Sequence, residues 1–405
     1  MLAAAWNFLV YAIADDPKQH VQVTDAIAQM HSALVGGDCK VVVQLNTRTS
    51  TTRHWLAAGK KPRVERVHGG GVADPDALTA FLDAAYRTRP AKATALVLLG
   101  HGNGLDDLHA PAPRPELRTT ASAPLVHAAL AEVFERTPSN HNLAAVGQYE
   151  RTSDAPVATR TWRARLCRDP RTGEHLRNVD LRKAIARSLQ KRVQVLGLNA
   201  CWMATLEVEY ELRTVAEIQI ASQTYASPWP YGPIVAALTD GPVPSPAAVA
   251  RAIVAAVRDH LPDDTVSAIE SRALDGLVTA FDLLAKRARA LIDTDWEAIA
   301  KVVGADAQRL EDPFQVDLRS LIEALAERDV KARAAADEAR ARLTRLILAA
   351  AAGPNHPGVH GLSILCPMTA ELDLVDAYRD LEFRTRAWAG FLRAYQIKLK
   401  HRHGR

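Results

Sequence analysis

Cysteine is scarce and unpaired in this chain: Cys39, Cys167, Cys201 and Cys366 lie far apart, and none belongs to a CxxC pair. That excludes a zinc ribbon, a dithiol redox pair and a disulfide-stapled scaffold. It also points to a reducing, cytoplasmic compartment, where a free thiol persists. Long apolar runs are missing, so no bilayer-spanning helix is expected. The stretch from Leu2 to Ala14 lacks a basic leader, contains Asn7 and runs into Asp15-Asp16, so it reads as a first strand and not as a signal peptide. Charge of one sign is missing as well. A net charge of +4 with 24% charged residues offers no polybasic face for nucleic acid. His68, His109, His141, His175 and His360 are scattered without HExxH or paired-ligand spacing, so no metal site is expected. Asp106-Asp107 supplies two carboxylates, too few to build a calcium site. Gly69-Gly70-Gly71 lacks the lysine and Ser/Thr of a phosphate loop and reads as a turn. No internal repeat is present.

What the chain does have is 405 residues, 48% of them hydrophobic, enough for one large domain or two ordinary ones. The first third alternates strands and helices. Phe8 to Ala14 and Val41 to Val43 are strand-like. Asp16-Pro17 and Asp74-Pro75 each read as a cap followed by proline at the first helical position. Ile27, Met30 and Leu34 recur at helical spacing until Gly36-Gly37, and Leu78, Phe81, Leu82 and Ala85 mark a second helix. This order, with strands that are apolar throughout, predicts an α/β fold with a mostly parallel central sheet and helices on both faces.

From 103 to 178 the pattern loosens into an insertion with many prolines and an arginine-rich stretch, Arg160 to Arg177, in which one helix, Pro124 to Arg136, is expected. Residues 1–240 then read as a catalytic domain containing that insertion. Residues 241–405 read as a mainly helical subdomain that contributes a strand near 361–365.

The chemistry concentrates at two strand ends. Ala95 to Leu99 leads into Gly100-His101-Gly102, and Val193 to Leu198 leads into Asn199-Ala200-Cys201. Parallel pairing brings both side chains to the sheet edge at which α/β enzymes keep their sites. An imidazole beside a thiol can accept its proton and release the thiolate, so the pair reads as a cysteine hydrolase. A helix expected directly after Cys201 places the sulfur near a positive helix end. The N–H groups of Gly102 and Cys201 are candidates for an oxyanion hole.

Several blocks resemble the clostripain-like cysteine peptidases, relatives of caspases and gingipains: Leu99-Gly100-His101-Gly102, Ala200 to Ala204, Glu207-Val208 with Tyr210-Glu211-Leu212, Ala221-Ser222-Gln223, Trp229-Pro230-Tyr231, Gly361 to Ile364, and Tyr378 to Leu381 with Trp388 and Phe391-Leu392. The resemblance implies a caspase-hemoglobinase fold and endopeptidase activity with His101 and Cys201 as the dyad. It implies no organic cofactor and a protein or peptide as substrate. It also implies a blocking segment between histidine and cysteine that is cut at a basic residue, the place the insertion occupies. Where the family commonly has an aspartate that meets a basic P1 side chain, this chain has Asn199, an amide without counter-charge. Asp15 and Asp16 either restore negative potential to that pocket or act as cap and solvated neighbour. Ser222 and Gln223 either lie beside the pocket or serve ordinary turn chemistry. The rival to a peptidase is a caspase-like module that binds a partner without cutting it.

Overall fold

The computed structural model describes residues 4–14, 17–35, 39–69, 71, 73–102, 165–168, 175–310, 314–368 and 378–403. Its first half runs β1 (Ala4–Ala14), α1 (Pro17–Ala33), β2 (Cys39–Thr47), β3 (Thr51–Ala57), β4 (Lys60–Val67), α2 (Pro75–Thr88) and β5 (Ala91–Leu99). A short hairpin, β6 (Arg165–Arg168) and β7 (His175–Arg177), leads to α3 (Asn178–Arg187), β8 (Val193–Asn199), α4 (Leu206–Leu212) and β9 (Ala216–Ala221). Next come α5 (Tyr231–Thr239), α6 (Pro246–His260), β10 (Val266–Glu270), α7 (Leu274–Thr294) and α8 (Trp296–Lys301). The chain closes with β11 (Gln315–Asp317), α9 (Leu318–Arg328), α10 (Arg333–Leu346), β12 (Ile347–Ala351), β13 (Ser363–Leu365) and α11 (Ala387–His403).

Nine strands form one sheet in the order β12-β10-β9-β8-β5-β1-β2-β3-β4. The interior pairings β9·β8, β8·β5, β5·β1 and β1·β2 are parallel, while the outer pairings at both edges are antiparallel. Interior strands are apolar along their length because each has a core on either side. In β1, Trp6, Phe8, Val10 and Ala12 face the core shared with α1, α5 and α6. Leu9, Tyr11 and Ile13 face the one shared with α2, α3 and α4. Asp74 caps α2 by accepting from Asp76 N–H, with Pro75 in the first turn, as the sequence predicts. The companion cap at Asp16, the stop at Gly36-Gly37 and the helix expected over 124–136 lie outside the described residues.

The division at residue 240 does not separate two cores. β10 and β12, from the region expected to be mainly helical, extend the main sheet beyond β9. The strand expected near 361–365 exists as β13, but it pairs with β11 in a separate two-stranded ribbon. A third core, around Phe281, Trp388 and Phe391, joins α7, α9, α10 and α11 to that ribbon. Ser363 at the start of β13 donates its N–H to Ala204 O at 2.8 Å, which braces the chain just after the cysteine.

Candidate active site

Register places the two candidate residues. β5 and β8 are neighbours with Leu99 opposite Asn199. His101 and Cys201 each follow two residues later, at equal height on the C-terminal edge of adjacent strands. Gly100 N–H reaches Asn199 O at 3.4 Å, continuing the contact past the ladder. Gly102 shows how close the segments come: a methyl group there would sit 2.6 Å from Ala200 Cβ and 3.0 Å from both Cys201 O and Met203 Sδ. Glycine is therefore required by close approach.

His101 is exposed, and its Nε2 lies 2.6 Å from the side-chain amide nitrogen of Gln19 in α1. Cys201 is half-buried, and its Sγ accepts the N–H of Ala226 at 3.4 Å. The residue after it, Trp202, has φ +57°, the left-handed region that side chains rarely adopt. Such a turn costs about 1–2 kcal/mol and persists where surrounding contacts impose it. Here Trp202 N–H donates to Thr224 O at 3.0 Å, and its ring packs on Tyr225 with centroids 4.5 Å apart.

The helix end expected at the sulfur is not there. α4 begins at Leu206, capped by Thr205, whose hydroxyl accepts Val208 N–H. Cys201 precedes it by a strained turn and an extended segment, so the N–H of Ala226, from the far side, takes the place assigned to the helix dipole.

The expected substrate-pocket residues fare differently. Asn199 is 1% exposed. Its Oδ1 accepts from Trp229 N–H at 2.9 Å and Tyr231 O–H at 3.0 Å, and its Nδ2 donates to Ser227 O at 2.8 Å. The amide thus holds the segment 227–231, and its oxygen is already engaged by two donors. Ser222 and Gln223, 2% and 1% exposed, are corrected from pocket residues to buried braces. The Ser222 hydroxyl pairs with that of Thr265 at 2.8 Å. Gln223 donates to Asp317 at 3.2 Å and accepts from Gly361 N–H. The reason is that the chain entering β10 and the β11–β13 ribbon close over the end of β9. Asp15, Asp16 and Asp106-Asp107 lie outside the described residues.

Sequence reasoning missed Gln19, Ala226, Ser227 and Asp264. Asp264 accepts from Ser227 at both carboxylate oxygens, N–H at 2.7 Å and hydroxyl at 3.1 Å. The one signal for this group was the turn-rich run beginning at Ser227. Further off, His360 pairs with buried Asp317 at 3.0 Å, a contact that raises its pKa. Among the described residues no cluster of His, Cys, Asp or Glu is disposed to hold a metal, and no helix is long and apolar enough to cross a membrane.

The sequence model of the clostripain family matches residues 151–338. By structure, the chain is similar to an inactive zymogen C11 protease from Parabacteroides distasonis, with TM-score 0.64, 17% identity, and 95% of this chain and 98% of that chain covered. It is also similar to a secreted C11 cysteine protease from Bacteroides thetaiotaomicron, at TM-score 0.62 and 14% identity over 97% of this chain and 100% of that one. A C11 protease of the same organism in complex with an irreversible peptide inhibitor matches at TM-score 0.63 and 17% identity, over 96% and 100%. No curated protein matches the chain by sequence. The α/β architecture is that of the C11 proteases.

Proposed function

We propose that this chain, which carries the clostripain-family pattern over residues 151–338 on the C11 protease fold, is a cysteine endopeptidase. The observation that carries the reading is the equal register of His101 and Cys201 on the adjacent ends of β5 and β8, with Gly102 tucked against the cysteine. Cys201 attacks the scissile carbonyl as thiolate. His101 takes the thiol proton and returns it to the leaving amine, and water then releases the acyl-enzyme. The N–H groups of Gly102 and Cys201 hold the oxyanion, each donor being worth about 10²–10³ in rate. Gln19 orients the imidazole.

The substrate is a protein or peptide, and no organic cofactor or metal enters the reaction as drawn. The insertion over 103–178 is assigned as a blocking segment cut by the enzyme itself, in keeping with the zymogen described for the Parabacteroides relative. A cytoplasmic site is part of the proposal, supported by the free thiols Cys39, Cys201 and Cys366, although the Bacteroides relative is described as secreted. Cell fractionation of the native host decides that point.

Wild type and Cys201→Ala are compared on a P1-diverse fluorogenic peptide library, with intact masses measured in parallel. Cleavage by wild type alone, with a clip confined to wild type, is the expected result. No cleavage by either, even after limited proteolysis of the insertion, overturns the peptidase and leaves the non-cleaving binding module.

A further inference from the structure

The segment from Thr224 to Pro230 joins β9 to α5 without regular structure, yet it carries the N–H that reaches the sulfur. Three contacts on one residue hold it. Asp264 grips the N–H and the hydroxyl of Ser227 at 2.7 and 3.1 Å, and Asn199 grips its carbonyl at 2.8 Å. Asp264 is itself held by its N–H to Leu261 O at 3.0 Å. Next to it, Thr265 Oγ1 accepts the N–H groups of Gln223 and Thr224 at 3.1 and 3.2 Å. With Ser227 fixed, the preceding peptide has little freedom. The Ala226 N–H belongs to the next peptide back, whose Tyr225 O accepts from the Ser222 and Thr224 hydroxyls at 3.5 and 3.4 Å, and it points at Cys201 Sγ at 3.4 Å.

A donor aimed at sulfur favours the thiolate over the thiol. We infer that Asp264 is a positioning residue for the nucleophile: through Ser227 it aims the Ala226 N–H at Cys201 and so sets how readily the thiol ionises. The catalytic consequence rests on the peptidase reading, whereas the effect on the thiol does not.

One effect opposes this. The Asp264 carboxylate is an anion and by itself disfavours a second anion nearby. Its charge, however, is directed into two donors on Ser227, and it acts on the sulfur across two residues of backbone. Its neighbour Asp263 is engaged by Asn355 Nδ2 at 3.1 Å, and His101 follows the adjacent strand end. In this proposal the directed N–H ranks above the through-space charge, and the direction of the shift in Asp264→Ala decides between them.

The test is the pH dependence of Cys201 alkylation by iodoacetamide, read by mass spectrometry on the Cys201 peptide in full-length wild type, Asp264→Ala, Asp264→Asn and Ser227→Ala. Cys39 and Cys366 serve as slow internal controls, since burial pushes their thiols up to about 12 and about 11. In Asp264→Ala the inflection moves up by about one pH unit and the rate at neutral pH falls about tenfold. Asp264→Asn, which keeps one acceptor, recovers part of the shift, and Ser227→Ala shows a smaller one. With peptide substrate, kcat falls while KM changes less than about twofold. A folded Asp264→Ala with the wild-type profile, or with its inflection moved down, overturns the proposal. If Asp264→Ala does not fold, an unshifted Ser227→Ala overturns it instead. Should wild type cleave no peptide, the peptidase reading fails while the alkylation profiles still decide this one.

Discussion

Replacing Asn199 with aspartate separates an amide site from a carboxylate site at the foot of the cleft. The present side chain matches its surroundings atom by atom, with Oδ1 facing two donors and Nδ2 facing the carbonyl of Ser227 at 2.8 Å. In Asn199→Asp an oxygen takes the place of Nδ2. A protonated carboxyl can still donate to Ser227 O, whereas an ionised one sets two acceptors against each other at a position 1% exposed. Ionisation is thus disfavoured by burial and by the lost donor. The folded-state pKa is therefore raised above the unfolded value of about 3.9. The sign is then fixed. Below about pH 4 both states hold the proton, and the variant folds nearly as well as wild type. As pH rises the unfolded state ionises first, so stability falls until the folded pKa is passed, by about 1.4 kcal/mol for each pH unit between the two pKa values. Urea unfolding of both proteins between about pH 4 and pH 8 measures that difference. A gap between variant and wild type that stays constant, or that narrows with rising pH, refutes the reasoning, because it means the side chain meets solvent or a cation in place of a neutral cradle.

Gly102→Ala drives a methyl group to 2.6 Å from Ala200 Cβ and 3.0 Å from the backbone oxygen of Cys201, which cannot yield without moving the nucleophile. A loss of about 1–3 kcal/mol in stability is expected, with kcat down at least about 100-fold. Activity within twofold of wild type, measured beside the melting temperature, would contradict the close approach. Glu207, fully buried, has its pKa pushed up to about 7 by loss of solvent, against the opposing hydrogen bonds from Tyr378 O–H and Leu365 N–H. With the folded value above the unfolded one, its favourable contribution is complete below about 4.5 and is lost as pH rises through about 7, on the order of 3 kcal/mol. Glu207→Gln keeps an acceptor for both donors and should flatten the decline in stability between pH 5 and pH 8, read by thermal unfolding across that range. An unchanged slope would assign the decline to other groups.

Much of the frame was legible because interior strands leave few choices. β1, β2, β5 and β8 are apolar on both faces, and their period and flanking turns identify them. The edge hairpin escaped notice for the opposite reason: β4 carries Lys60, Lys61, Arg63, Glu65 and Arg66, charges that suit an edge strand and erase its alternation. β12 is hidden in an alanine-rich run that continues α10 without a break in composition. Of the candidate site, His101 and Cys201 were singled out by two apolar strand ends together with the resemblance to the clostripain-like peptidases, and the pairing of β5 with β8 brings those ends side by side. Ala226 could not be singled out, because a backbone N–H leaves no mark in composition. Asp264 could not either, because its partnership with Ser227 depends on how β10 docks beside β9. Glu207, Glu209 and Glu211 crowd a seven-residue helix that composition would turn toward water, yet all three are buried. Glu207 serves the β13 side, Glu211 binds Arg182, and burial holds Glu209 far above the usual carboxylate range.

β5 lies between β1 and β8, so the hydrogen bonds of three aligned strands fix where the segments carrying His101 and Cys201 leave the sheet. A polypeptide ending beyond His101 and a second one beginning ahead of β6 would between them hold every strand of the nine-stranded sheet, with the β5–β8 pairing as the seam.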